Sequence, residues 1–207
     1  MATTGQRSAS CIGHFLAVVS LLTLPGCAGK QQINDAVAAV NEEFRKSYEE
    51  ALATSGTRTF RTTTQAGIAA LRGCLTGMGM HVVDEDAEAG YLRTSGPAPS
   101  PLDTQDWQKA VRIDQPRFRE ILADHVGLLA YLVGLEPEGL DVIINGTAVQ
   151  KPSDVEISLT MRTVETKPPP SGMPRRQYPP PSAVRIGLDK IWKCIDQHIS
   201  SSSRSIP

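Results

Sequence analysis

The chain of 207 residues is short of the side chains that most catalytic and nucleic-acid signatures need. It has four histidines and four cysteines. His81, His125 and His198 are isolated in sequence. No His-Glu-x-x-His, Gly-x-Ser-x-Gly or Cys-His pair at a recognisable spacing occurs. The sequence therefore predicts no catalytic residue, no metal site, no cofactor and a non-enzymatic role. Positive charge is not in excess either, with 21 Lys and Arg against 22 Asp and Glu. The one local concentration, Arg175-Arg176, is too small to follow a phosphate backbone, so nucleic acid is not an expected partner. Long apolar runs are missing as well: Ile12 to Leu24 is about 13 residues, well short of the ~20 that a spanning helix needs. Asp84, Asp86 and Glu88 alternate like the opening of a calcium loop, but without its glycine and distal glutamate they read as a solvated turn.

What is present begins at the N-terminus. Arg7 precedes the uncharged run Ile12 to Leu24, and small residues follow it, the three parts a secretory signal requires. The run closes on Leu24-Pro25-Gly26-Cys27, which resembles the lipobox of bacterial lipoproteins. The resemblance implies that residues 1–26 are removed and that Cys27 is acylated, by palmitate-like chains, as the first mature residue. Several chains, at ~0.8 kcal/mol per buried methylene, make a stable membrane anchor. Ala28, a non-Asp residue after the cysteine, implies sorting to the inner leaflet of the outer membrane, facing the periplasm. Two alternatives stay open: ordinary cleavage after Ala28, giving a soluble periplasmic or secreted protein, and an uncleaved anchor. Loss of Arg7 with the signal leaves a net charge of about −2.

With Cys11 in the signal and Cys27 assigned to lipid, Cys74 and Cys194 remain, both in predicted helices. In an oxidising compartment they read as a disulfide, or as two separately buried thiols.

Periodicity supplies the architecture. Ile33, Val37, Val40, Phe44 and Ala51 recur at helical spacing over Lys30–Thr54, a tether helix that Ser55-Gly56 ends; it docks on its own domain or self-associates. Thr57–Thr63 is a predicted strand. Gln65–Met78 is a helix capped by Thr64, and His81-Val82-Val83 begins a strand that Asp84 to Gly90 turns into Tyr91–Thr94. Gly96-Pro97 then breaks the chain. A helical insertion, 102–139, contains one helix capped by Asp103 and another begun by Pro116, followed by the nearly uncharged Val126–Leu135, expected to be core or an apolar ligand surface. Leu140–Val149 and Val155–Met161 alternate at period two around the Lys151–Asp154 turn and should pair antiparallel, with one wet face. Gly146, inside that strand, suggests a bulge or a close backbone approach. Asn145-Gly146-Thr147 matches the glycosylation pattern, in a bacterial chain a coincidence. Lys167 to Pro181 holds seven prolines and must be loop. Ser182 caps a final helix with Val184, Leu188, Ile191, Trp192, Ile195 and Ile199 on one face, and 200–207 is an expected disordered tail.

The sequence thus predicts an α+β fold: an antiparallel sheet in the order β-α-β-β, helical insertion, β-β-α, with helices on one face and a tether helix in front. From Thr57 to Ile199 this element order resembles the helix-grip-type domains of envelope lipoproteins, the insertion being a departure. The expected function is a binding or scaffolding module held to the membrane by its N-terminal lipid and meeting an envelope protein through the loop residues Arg175, Arg176 and Tyr178. The alternative is a periplasmic lipid or small-molecule binding protein that uses the 126–135 segment.

Overall fold

The computed structural model describes residues 29–167 and 175–202. Its elements are α1 (Lys30–Ser55), β1 (Thr57–Phe60), α2 (Thr64–Gly77), β2 (His81–Asp86), β3 (Tyr91–Pro97) and α3 (Thr104–Val126). After a 3-10 segment (Gly127–Leu132) come β4 (Leu140–Gln150), β5 (Val155–Glu165) and α4 (Pro181–Ser202). The fold is α+β, with one five-stranded antiparallel sheet. Its spatial order, β1-β5-β4-β3-β2, is not expressed by the chain order and places β1 beside β5.

The period of two along a pleated strand decides which face is buried. On β4, Leu140, Val142, Ile144, Gly146 and Ala148 are buried, and on β5 Val155, Ile157, Leu159 and Met161, while residues between them are half-buried or exposed. The two strands pair from Leu140↔Glu165 to Gln150↔Val155, and the Lys151 N–H donates to the Asp154 carbonyl across the turn at 2.7 Å. Ile68, Leu71 and Leu75 of α2 and Val184, Leu188, Ile191, Trp192 and Ile195 of α4 cover the apolar face. The Trp192 indole N–H donates to the Ser55 carbonyl at 2.7 Å, which ties the end of α1 to this core. Gly146 marks a close approach, since a Cβ there would overlap Leu71 Cδ2; the pairing runs through it without a bulge. Gly90 has φ +74°, and a Cβ on it would strike the Ala148 carbonyl, so the β2–β3 turn requires glycine.

A second, smaller core lies between α1 and α3. Ala36, Val40 and Phe44 meet Phe118, Ile121 and Leu122, with Ala130 and Leu135 closing one side. Further along α1, Tyr48 and Ala51 belong to the main core. The tether helix is therefore packed on the domain through most of its length.

Several boundaries differ from expectation. β1 stops at Phe60 because Thr63, and not Thr64, is the cap of α2, its hydroxyl accepting from the Ala66 N–H at 3.2 Å. Asp84 to Asp86 lie in β2, an edge strand that asks for no burial, so the turn is confined to Ala87–Gly90. There Asp86 Oδ1 accepts from the Glu88 and Ala89 N–H groups. Gly96-Pro97 does not break the chain, for β3 pairs with β4 as far as Pro97↔Asp141. The two helices expected in the insertion are one, with Pro116 inside. An interior proline costs ~3 kcal/mol, and here the carbonyl it orphans belongs to the exposed Arg112, open to water, while Trp107 and Ala110 before it and Phe118, Ile121 and Leu122 after it are all buried. Ser182 does not cap α4: it sits in the first turn, behind Pro181, and donates to Asp114. α4 runs on to Ser202, so residues 200–202 of the expected tail are helical, and 203–207 lie outside the described residues. The strands of the final hairpin extend to Gln150 and Glu165.

Candidate functional site

Where the α1–α3 core stops short of closing, it leaves an apolar groove of about 560 Å³. One wall is the apolar stripe of α1, from Ile33 through Val37 and Val40 to Phe44; the other is α3, from Trp107 through Phe118 and Leu122 to Val126. Leu129, Val133 and Leu135, which follow α3, form the third side, and Tyr178 and Pro180 close it from the far end of the proline-rich loop. The few polar groups on the wall are Asn41, Glu136 and Arg176.

The local sequence explains why the groove holds its shape. Arg117 on α3 donates to Glu43 on α1 at 3.1 Å, and Ile33, nearer the start of α1, shares the wall with Val126, nearer the end of α3, so the helices run antiparallel. Gln115 holds the returning segment at two points: its amide donates to the Val133 carbonyl at 3.0 Å and its oxygen accepts from the Leu135 N–H at 3.2 Å. The Trp107 indole N–H donates to the Leu135 carbonyl at 3.1 Å. Asn41 accepts from the Gln177 N–H and donates to the Arg175 carbonyl, which pins the loop to α1. Tyr178 packs on Tyr48 with ring centroids 5.4 Å apart. These bonds tie two irregular, partly exposed segments to α3 and α1.

The middle of α3 is joined to α4 by a half-buried carboxylate. Asp114 accepts from the Ser182 N–H at 2.8 Å and the Ser182 hydroxyl at 2.7 Å, an anion at a helix N-terminus. Burial pushes its carboxyl above the usual aspartate range, against the lowering effect of the two Ser182 bonds. On the exposed side, Lys190 donates to Asp103 and Asp106 at 3.0 and 2.7 Å. Asp103 is held below the ordinary range by the Asp106 N–H it caps and by Lys190.

The predicted site residues fall as follows. Cys27 lies outside the described residues, as do 168–174 of the proline-rich loop. Cys74 on α2 and Cys194 on α4 are joined by a disulfide, 120 residues apart in sequence. His198 lies close by, but sulfurs bonded to each other are not the thiolates a metal takes. Arg175 is exposed, Arg176 donates to Glu165 at 3.0 Å, and Tyr178 is half-buried, with Pro179 and Pro180 buried behind it. His81, His125 and His198 sit on β2, α3 and α4. The segment 126–135 is not the core expected: only Ala130 and Leu135 are buried, because the 3-10 turn lays one side of the segment on α3 and leaves the rest uncovered. Asn41, Gln115, Asp114 and the α1 wall carry no local signal in the sequence, because their partners are distant in the chain. Among the described residues no helix is long and apolar enough to cross a membrane. No protein-family model, curated protein or solved structure matches the chain.

Proposed function

We propose that this is a non-enzymatic lipoprotein domain of the bacterial envelope, held to the outer membrane through Cys27, that binds a linear apolar ligand of the acyl-chain class between α1 and α3. The groove carries the reading. Its wall on α3 spans Trp107 to Val126, which at ~1.5 Å per residue is roughly 28 Å. Its volume, about 560 Å³, lies in the range of small-molecule pockets. Apolar walls with a few polar groups are the usual composition of a small-molecule site. The anchoring half of the reading is supported by Arg7, the run Ile12–Leu24 and Leu24-Pro25-Gly26-Cys27. Native mass spectrometry of protein purified from membranes, followed by titration with a fluorescent fatty acid, tests it. Wild type should carry or take up one such molecule, and Val126→Trp, which puts an indole at a half-buried wall position, should lose it. Wild type with no bound apolar mass and no uptake would overturn the assignment.

Protein partnership is the second reading, favoured by the open face of the sheet. There Arg93, Arg162 and Arg175 gather with Asn145 and Thr160 around a depression of about 530 Å³, with Arg176 already paired to Glu165. An acidic envelope protein would suit that face. Cross-linked recovery that survives Arg93→Glu/Arg162→Glu substitution would count against it.

A further inference from the structure

The 3-10 segment after α3 contributes one side to the groove and exposes the other. Leu128 is 79% exposed, Leu132 82% and Tyr131 60%, and Leu129 and Val133 beside them are also partly bare. Single exposed leucines are ordinary, whereas a contiguous run of this kind marks a surface that meets something apolar. Where the chain enters the fold identifies what that is. Ile33, in the first turns of α1, shares the groove wall with Val126, Leu129 and Val133, so the start of α1 and the bare segment lie at one end of the molecule. Cys27 precedes Gly29 by two residues, a reach of roughly 7 Å when extended, with the apolar run Ile12–Leu24 before it. On the membrane attachment proposed above, by acyl chains on Cys27 or by an uncleaved apolar run, the lipid surface stands at this end.

We propose that Leu128, Tyr131 and Leu132 enter the headgroup and upper acyl region of that same bilayer, so that the domain is seated on the membrane by a second contact. Tyr131 suits the boundary, with an apolar ring and a polar tip. Its ring lies 6.0 Å under the Arg119 guanidinium, a cation at headgroup depth. The seating would put Leu129 and Val133, shared between the bare segment and the groove, next to the lipid from which an apolar chain can enter. This inference rests on the membrane attachment in the proposed function and not on ligand binding.

The test uses the full-length protein, expressed with its own leader, purified from membranes and reconstituted into phosphatidylethanolamine and phosphatidylglycerol vesicles with brominated acyl chains. Leu132→Trp and Leu128→Trp each add an indole at an exposed position, and Val83→Trp, at a 57% exposed site on edge strand β2, is the control. After subtraction of the quenching of wild type, whose Trp107 and Trp192 are buried, the first two should be quenched at least twofold more than the control. Quenching no greater than at Val83 overturns the seating, although ligand uptake in the groove would survive that result. Protein that fails to sediment with vesicles overturns both the anchor and the seating. Quenching retained in protein that binds no fatty acid leaves the seating standing and removes only the ligand.

Discussion

Reduction of the Cys74–Cys194 bridge is the perturbation whose size follows most directly from the topology. The bridge ties α2 to α4, the two helices that cover the sheet, and closes a loop of 120 residues. In the chain-entropy description, a loop of that length removes about 5 kcal/mol of freedom from the unfolded ensemble at 25 °C. Little need be lost from the folded state, since Cys74 is fully buried and a thiol packs there as a small apolar group. Guanidinium unfolding of oxidised and reduced wild type, followed by circular dichroism, isolates the cross-link without a mutation. For a domain of this size the slope is several kcal/mol per molar, so reduction should lower the midpoint by about 1 M. Cys74→Ala/Cys194→Ala should match the reduced protein to within about 1 kcal/mol, the difference being the small volume lost at Cys74. A midpoint shift under about 0.2 M would refute the reasoning, because it would mean that the two helices remain together in the unfolded ensemble without the bond.

Other consequences are local. Gly146→Ala should destabilise by about 1–3 kcal/mol through overpacking on Leu71, seen as a lower melting temperature with unchanged secondary structure. Trp192→Phe strands the Ser55 carbonyl and leaves a gap beside Phe60, so a loss of about 2–4 kcal/mol is expected in the same assay. Asp114 titrates above the ordinary aspartate range in the folded protein, so its contribution is fully present below the unfolded value and is lost as pH rises through the folded one. The stability of wild type relative to Asp114→Asn should therefore fall with rising pH across that window. Carbon-detected NMR showing Asp114 at or below the ordinary range would contradict this.

How far the fold can be read from the chain depends on whether a residue's environment is set by its neighbours in sequence. Strand β5 is legible because Val155, Ile157, Leu159 and Met161 alternate with polar residues, β4 because Leu140, Val142 and Ile144 keep the same period although Ile143 interrupts the polar set, and α4 because Val184, Leu188, Ile191, Trp192 and Ile195 keep one stripe. Pro116 misleads because the local rule for proline is outweighed by burial of both halves of α3, a tertiary effect. The spatial strand order, with β1 beside β5, is a pairing across the whole fold that no local pattern records. The groove is hidden for the same reason. Its walls come from Ile33, Phe118, Leu129 and Tyr178, and the gap between them depends on how closely two helices approach, which their apolar stripes do not state. Segment 126–135 shows the limit well, for composition marks it as apolar but not which side is covered.

Whether the groove holds an acyl chain is decided by native mass spectrometry of the protein released gently from membranes, with wild type and Val126→Trp side by side. Wild type should carry an added mass in the range of one acyl-chain lipid, dissociating on collisional activation, and the variant should lack it with the fold intact. Wild type that flies only as the bare, lipid-modified polypeptide, and that takes up no fatty acid when offered it, would contradict the claim.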